Sequence, residues 1–191
     1  KSGVRLTRLD RFRRDYRVRK ITPYIPQGAR VLDVGCHDGA LFQALKGRIG
    51  EGVGIDPHAE PGAGLDKVTF IRGMFPKDLP GGDVFDVITM LAVLEHFPPA
   101  ALQVLPEAIA ARLKSGGRFI ATVPSPWVDH IIHGLAFLRL IHGAKLGMDE
   151  HHGYDVGNTV PLFTAQGALR LLVHQRFQLG LNNLFVFEKI G

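Results

Sequence analysis

The sequence has little cysteine and no long apolar run, and both shortages exclude classes of protein. A single cysteine, Cys36, among 191 residues rules out an intrachain disulfide and a site built from several thiolates. No stretch reaches the roughly 20 consecutive apolar residues that a membrane-spanning helix needs, and no apolar secretory segment opens the chain. Internal repeats and low-complexity segments are also missing. We therefore expect one globular domain over residues 1–191, in a reducing, cytoplasmic compartment.

Positive charge is concentrated at one end of the chain. The net charge is +5, yet residues 1–20 carry nine Lys or Arg against two Asp, so the remainder is slightly acidic. An apolar stripe at three- and four-residue steps predicts a basic helix within residues 1–22 that docks on the domain: Leu6, Leu9, Phe12 and Tyr16. The alternative is an electrostatic footprint for an anionic membrane surface, a phosphorylated substrate or nucleic acid. Nucleic acid is the weakest of these, since no recognised nucleic-acid module accompanies the charge.

A strand, a glycine turn and a second strand form the most informative part of the chain. Residues 31–34 are a short apolar run of the kind found in buried parallel strands. Gly35 and Gly39 then allow a sharp turn and the close approach of a ligand. Asp56 ends the next strand about 20 residues later, where a carboxylate can accept hydrogen bonds from both ribose hydroxyls of a nucleoside. The pattern predicts a nucleoside-cofactor site.

The residues around the glycines indicate which cofactor binds. A dinucleotide site uses Gly-x-Gly-x-x-Gly to bring a pyrophosphate to a helix N-terminus. This turn instead has His37 between Gly35 and Gly39, with acids at Asp33 and Asp38. Because acids suit a cationic ligand better than a diphosphate, the pattern argues against a nicotinamide-dependent oxidoreductase.

The turn resembles motif I of the class I methyltransferases, whose cofactor S-adenosylmethionine carries a sulfonium and an ammonium group. The family usually has glycine where this chain has His37. Residues 85–96 are similar to the family's fourth strand and its exit, and residues 111–124 to the glycine turn and fifth strand that follow. The resemblance points to the ubiquinone and menaquinone group. It implies an α/β, Rossmann-like fold: a doubly wound, mostly parallel seven-stranded sheet with an antiparallel last strand and helices on both faces.

The resemblance also divides the domain into consecutive regions. These are the basic N-terminal helix at 1–22, the cofactor-binding core at 28–124, the substrate cover at 125–162, and the terminal helix and strand hairpin at 163–191. In the last region the sequence predicts a helix that starts at residues 162–164, with Thr164 as its N-cap, and continues through residues 169–173. Two short strands would then pair around a turn at Asn182-Asn183.

The resemblance implies a set of cofactor-binding residues. Asp56 is predicted to bind ribose. Met74 stands where the family commonly has an acid for the adenine amino group, so we expect adenine to be held by backbone groups near Gly73 and Met74 and by Phe75. The full predicted set is Asp33, Gly35, Cys36, His37, Gly39, Asp56, Pro57, Gly73, Met74, Phe75, Met90 and Leu91, with the last two along the methionine arm.

Candidates for catalysis are histidines on the acceptor side: His96, His151 and His152. For each of them a purely structural role stays open. Quinone-pathway relatives have Glu-x-x-Glu-His after the fourth strand, which contributes to a divalent-metal site. Here Ala92 occupies the place of the first ligand, so we predict no metal site.

These observations predict methyl transfer from S-adenosylmethionine, at oxygen, to a small-molecule or a lipid- or glycan-linked acceptor. The apolar stretch at 127–146 and the basic helix are compatible with an apolar or an anionic acceptor, and with peripheral membrane contact. The alternative is a noncatalytic descendant that binds the cofactor or serves as a scaffold, which the departures at His37 and Met74 favour. Neither the acceptor nor the oligomeric state follows from the sequence.

Overall fold

A computed structural model describes residues 8–60, 65–125 and 154–191 of the chain, with side chains from Arg14 onward. The strands of this part are β1 (Arg30–Val34), β2 (Glu51–Asp56), β3 (Val68–Arg72), β4 (Phe85–Leu91), β5 (Leu113–Pro124), β6 (Leu169–Phe177) and β7 (Asn182–Lys189). Its α-helices are α1 (Arg8–Ile21), α2 (Ala40–Ala44), α3 (Pro99–Arg112) and α4 (Thr159–Thr164). Short 3-10 turns occupy Thr22–Tyr24, Leu94–His96 and Val156–Asn158.

The seven strands form one sheet in the order β3-β2-β1-β4-β5-β7-β6. Neighbours among β1 to β5 are parallel, and β7 runs antiparallel to both β5 and β6. The chain moves outward from β1 to β3 and then crosses back to β4. This reversal leaves a crevice at the carboxyl ends of β1 and β4, where open α/β sheets bind their ligands. The predicted fold class is confirmed.

Two apolar layers cover the sheet, because successive residues of a strand point to opposite faces. Leu32 and Val34 of β1 belong to the layer that α3 and α4 complete. Val31, between them, belongs to the layer under α1 and α2. The helix α1 is anchored there by buried apolar side chains and by Tyr16, whose ring stacks on Phe177 with centroids 6.0 Å apart. Its docking brings Arg14 against the glycine turn, where it pairs with Asp38.

The C-terminal elements differ from the sequence prediction. Helix α4 ends at Thr164 rather than beginning there, and the Thr164 hydroxyl donates a hydrogen bond back to the carbonyl of Val160 at 2.8 Å. Residues 169–173, predicted to be helical, lie in β6. Asn182-Asn183 is part of β7, and the turn instead uses residues 178–181, where Gln178 and Leu179 have positive φ. Apolar residues at 169 and 171–173 suit a helix or a half-buried strand, and pairing with β7 decides for the strand.

Some predictions fall on residues outside the described ranges. These include 126–153, most of the predicted substrate cover, and 1–7, the start of the basic segment. Within the described ranges, no helix combines the length and the apolar character that a membrane crossing requires.

Candidate functional site

Two cavities open on either side of the glycine turn, at the carboxyl ends of β1, β2 and β4. The larger cavity, about 470 Å³, lies between the turn, the loop after β3 and the segment that follows β4. The smaller cavity, about 220 Å³, lies between the turn, the end of β1 and helix α1. Of the described residues, Gly35 and His37 alone line both cavities. A single elongated ligand that filled both would therefore run along the turn.

Backbone conformation and close packing both require glycine in this turn. Gly35 and Gly39 have φ of 80° and 72°, in the left-handed region that favours glycine. A Cβ on Gly35 would lie 2.4 Å from Cγ2 of Val93, and one on Gly39 would lie 2.6 Å from Cζ of Phe70. Gly39 lines neither cavity. Gly39 lets the turn pack closely on Phe70 of β3.

The Asp56 carboxylate is held at the end of β2 by two main-chain amides. The N–H of His58 donates to Oδ1 at 2.6 Å, and the N–H of His37 donates to Oδ2 at 3.3 Å. Each carboxylate oxygen keeps further acceptor capacity, and Asp56 lies half-buried on the wall of the larger cavity. The carboxylate is thus fixed in position and able to accept hydrogen bonds from a vicinal diol.

The loop after β3 presents apolar side chains rather than free amides. The N–H of Gly73 donates to the carbonyl of Asp56 at 3.1 Å, and the N–H of Met74 donates to Oδ2 of Asp78 at 2.8 Å. Both amides are therefore occupied, so the main-chain groups of this loop that remain for adenine are carbonyl oxygens. Met74, which is 51% exposed, and Phe75, which is buried, both line the larger cavity. They give this part of the cavity an apolar lining that suits a flat ring.

The smaller cavity is lined by charges of both signs. Its lining includes the acids Asp33 and Asp38 and, from α1, Arg14 and Arg17. Arg14 pairs with Asp38 of the glycine turn, Nη1 to Oδ2, at 3.1 Å, and Nη1 of Arg17 lies 3.5 Å from the carbonyl oxygen of Leu91. Acids and guanidinium groups around one cavity complement a zwitterion, since an acid attracts an ammonium and a guanidinium attracts a carboxylate.

Burial changes the acid–base properties of the smaller cavity. It raises the pKa of Asp33 to about 7, against the opposing effect of a hydrogen bond from Thr89, and the negative charge of Asp56 adds to the increase. Burial likewise raises the pKa of the Cys36 thiol. A cation bound beside Asp33 would favour its ionised form.

The far wall of the larger cavity comes from the segment after β4 and the start of α3. His96 lies there beside apolar residues: Val93, Phe97, Pro98 and Ala101. Glu95 is buried and does not line this cavity. Across the part of the chain that the structure describes, no three His, Cys, Asp or Glu side chains are grouped so that they could hold a metal ion.

Most predicted site residues lie on the two cavities. On the larger are Gly35, His37, Asp56, Pro57, Gly73, Met74, Phe75 and His96; on the smaller are Asp33, Cys36 and Leu91, with Gly35 and His37 again. Met90 lies on neither cavity, since its side chain is fully buried in the core. Alternation along β4 turns Met90 toward the layer under α3 and leaves Leu91 on the smaller cavity. His151 and His152 lie outside the described residues.

Sequence reasoning missed the arginines of the smaller cavity. The basic segment was evident, but no spacing relates Arg14 and Arg17 to a turn about 20 residues later, and the docking of α1 brings them together. His58 was missed as well. Its position two residues after the predicted ribose acid was an available signal, since short Asp side chains commonly accept the amide two residues on.

The family assignment rests on a family model that matches most of the chain. A family model described as a methyltransferase domain matches residues 8–175. The chain belongs to this methyltransferase family. The assignment to class I S-adenosylmethionine-dependent methyltransferases, and of S-adenosylmethionine as their cofactor, is confirmed.

Curated relatives of this methyltransferase domain include ubiquinone biosynthesis O-methyltransferases. The protein from Aeromonas salmonicida is 34% identical over 130 residues, which cover 62% of this chain and 50% of that protein. The protein from Pseudomonas aeruginosa is 30% identical over 129 residues, which cover 60% of this chain and 54% of that protein. The chain thus spans about half the length of the curated relatives that it matches.

Solved methyltransferase structures share the fold of this domain. The N-methyltransferase NodS from Bradyrhizobium japonicum, in complex with S-adenosyl-L-homocysteine, superposes with a TM-score of 0.67 at 14% identity, over 97% of this chain and 90% of that one. Magnesium protoporphyrin IX methyltransferase from Synechocystis also has S-adenosyl-L-homocysteine bound. It superposes with a TM-score of 0.65 at 12% identity, over 98% of this chain and 90% of that one. At these identities the likeness concerns the fold alone.

Proposed function

We propose that the chain transfers the methyl group of S-adenosylmethionine to a small-molecule acceptor. The observation that carries this proposal is the pair of cavities that share Gly35 and His37 in their linings. One cavity is lined by an acid for a diol and by the apolar side chains of Met74 and Phe75, and the other is lined by two acids and two arginines. Together they complement a nucleoside linked to an amino acid, which is the chemical form of this cofactor.

Each part of the cofactor has a binding group in this proposal. Asp56 accepts hydrogen bonds from the ribose hydroxyls, and Met74 and Phe75 enclose the adenine ring. Asp33 faces the ammonium, while Arg17 faces the carboxylate. When bound, the cofactor supplies an electrophilic methyl group on sulfur.

The acceptor is proposed to enter the larger cavity from the side of His96 and Phe97. The apolar residues there exclude water and align the acceptor. His96 is placed to take the proton from a hydroxyl acceptor or to orient it. Transfer to oxygen is supported by the names of the curated relatives, which match this chain over about half of their length.

Calorimetry with S-adenosylmethionine, S-adenosylhomocysteine and NAD tests the cofactor assignment. We expect binding of the first two and none of NAD. Asp56→Ala removes a charged acceptor of two hydrogen bonds, which should weaken binding by about 1.5 to 3 kcal/mol. Glu107→Gln, at an exposed position of α3, is the control and should bind as the wild type does. Wild-type protein that bound NAD, or neither S-adenosyl compound, would contradict the proposal.

Tight cofactor binding without turnover would support the alternative of a noncatalytic domain. Methyl transfer is therefore measured against a panel of phenols, catechols and carboxylic acids with radiolabelled cofactor. If the protein binds S-adenosylmethionine but gives no labelled product with any acceptor of the panel, the cofactor assignment stands and the proposed methyl transfer to these acceptor classes is contradicted.

A further inference from the structure

Met74 is an exposed methionine on the wall of the larger cavity. Its exposed fraction is 51%, whereas its neighbour Phe75 on the same wall is buried. Methionine is usually a buried residue, and its thioether is open to oxidation, which makes the side chain polar. The larger cavity thus has an oxidisable apolar side chain at its surface.

The loop that carries Met74 is held by its own main-chain hydrogen bonds. The N–H of Met74 donates to Oδ2 of Asp78 at 2.8 Å, and its carbonyl accepts from the N–H of Asp78 at 2.9 Å. The N–H of Gly73 donates to the carbonyl of Asp56 at 3.1 Å. A Cβ on Gly73 would lie 2.6 Å from Cβ of Asp78, so the loop is also closely packed. A chemical change at the Met74 side chain would therefore alter the cavity wall in place.

The other sulfur-bearing side chains that the structure describes are sheltered from water. Met90 is fully buried in the core. Cys36 is 4% exposed, and burial raises the pKa of its thiol, which keeps the reactive thiolate scarce. The third methionine, Met148, lies outside the described residues. Of the described sulfur-bearing side chains, Met74 is thus the one that solvent reaches.

We propose that Met74 is a site of reversible oxidation that controls the affinity for the cofactor. A hydroperoxide is the oxidant: its O–O bond breaks, an S–O bond forms, the sulfur loses two electrons, and the peroxide leaves as water or an alcohol. Methionine sulfoxide reductases, with electrons from thiols, remove the oxygen as water and restore the thioether. The inference rests on the proposed function, because it takes the larger cavity as the place of the adenosyl group.

Oxidation would turn part of an apolar wall into a polar one. In the proposed complex the adenine ring covers Met74, so it would remove water from the sulfoxide oxygen. The N–H groups of Gly73 and Met74 are already bonded to other acceptors and are not available to this oxygen. Covering a polar group that lacks a partner weakens binding. We therefore expect the Kd of S-adenosylhomocysteine to rise about tenfold on oxidation.

Peroxide treatment, followed by peptide mass spectrometry and calorimetry, tests the proposal. The folded protein is treated with hydrogen peroxide, and sulfoxide formation is followed separately at Met74 and Met90. Met74 should be oxidised faster than Met90, and bound S-adenosylhomocysteine should slow its oxidation, because the ligand covers it. The Kd of S-adenosylhomocysteine should rise about tenfold in the oxidised protein. The two stereospecific methionine sulfoxide reductases together should return the Kd to its starting value.

Met74→Leu assigns the effect to one residue, because leucine keeps the wall apolar and has no sulfur. The Kd of this variant is compared with its own value before treatment and should not change with peroxide. Met90→Leu is the matched control at a buried position, where a volume-conserving exchange is tolerated. It should lose affinity on oxidation as the wild type does.

The outcomes separate this inference from the proposed function. Untreated protein that does not bind S-adenosylhomocysteine contradicts the proposed function, and the inference fails with it. If untreated protein binds and protein oxidised at Met74 binds equally well or more tightly, the inference alone is overturned. It is also overturned if Met74 is oxidised no faster than Met90, or if peroxide weakens binding to Met74→Leu as much as to wild type.

Discussion

The hydroxyl of Thr89 donates a 2.6 Å hydrogen bond to the buried carboxyl group of Asp33. The two residues lie directly opposite each other on β4 and β1, at the switch point of the sheet. Asp33 is only 4% exposed, and burial raises its pKa to about 7. The Asp33 carboxyl group is thus kept away from water beside the smaller cavity. Its ionisation there lowers the stability of the folded protein, and the proposed contact with the cofactor ammonium gives a functional reason for the acid.

Asp33→Asn should stabilise the protein in a pH-dependent way. The unfolded acid ionises near 3.8 and the folded acid near 7, so between these values the unfolded state binds fewer protons and wild-type stability falls as pH rises. The loss is complete above the folded pKa and is of order 4 kcal/mol. Asparagine cannot ionise and can still accept from Thr89. The melting temperature of Asp33→Asn should therefore exceed that of wild type by more at pH 8 than at pH 4.5. A difference between the two proteins that did not depend on pH would contradict this prediction.

Gly35→Ala should destabilise the protein more than Gly28→Ala does. Both glycines have positive φ, 80° and 74°, so both variants acquire backbone strain. A Cβ on Gly28 meets nothing within 4 Å, whereas one on Gly35 would lie 2.4 Å from the Val93 side chain. We expect a cost of about 1 kcal/mol at Gly28 and a larger one at Gly35. Urea unfolding measures both, and Val93→Ala in the Gly35→Ala background should recover part of the difference. Equal costs at the two glycines would rule out the clash.

Arg17→Ala should weaken binding of S-adenosylhomocysteine while leaving adenosine binding unchanged. The arginine lines the smaller cavity, where the proposed carboxylate lies, and loss of a charged hydrogen bond reduces affinity by about tenfold or more. Arg19→Ala on the same helix is the control, because Arg19 is exposed and lines neither cavity. Calorimetry with both ligands decides the matter: equal losses for adenosine and S-adenosylhomocysteine would show that Arg17 acts through the fold of α1.

His96→Ala should reduce methyl transfer without changing cofactor affinity. His96 lies on the far wall of the larger cavity, beside Phe97 and Pro98. Removing a general base typically lowers kcat by about 100-fold or more. His58→Ala, on the same cavity beside Asp56, is the control and should alter cofactor affinity instead. Steady-state kinetics with an acceptor found in the panel gives the comparison; unchanged kcat in His96→Ala would remove His96 from the reaction.

Methyl transfer should survive chelation, because Ala92 stands where quinone-pathway relatives place the first metal ligand. The measurement is the rate with a panel acceptor before and after treatment with EDTA. Loss of activity that magnesium, manganese or zinc restores would contradict this expectation and would make Glu95 and His96 the first residues to examine as ligands.

Local sequence determined the parallel strands β1 to β5 and the glycine turn. Apolar runs at residues 31–34 and 85–91 predict buried parallel strands, and the positive φ at Gly35 and Gly39 favours glycine at these two positions of the turn. Asp56 could be placed because a strand's last residue has a fixed position at the sheet edge. These features depend on neighbours in the chain, so a single sequence carries them.

Tertiary contacts decided the remaining features. Residues 169–173 have apolar spacing compatible with helix or strand, and β7 imposes the strand by pairing with them. Met90 and Leu91 differ by one residue, and the register of β4 on its neighbours sends one into the core and the other to a cavity. The arginines of α1 enter the site because buried apolar residues and Tyr16 dock the helix. Such contacts join distant parts of the chain, and their energies depend on packing that local sequence does not specify.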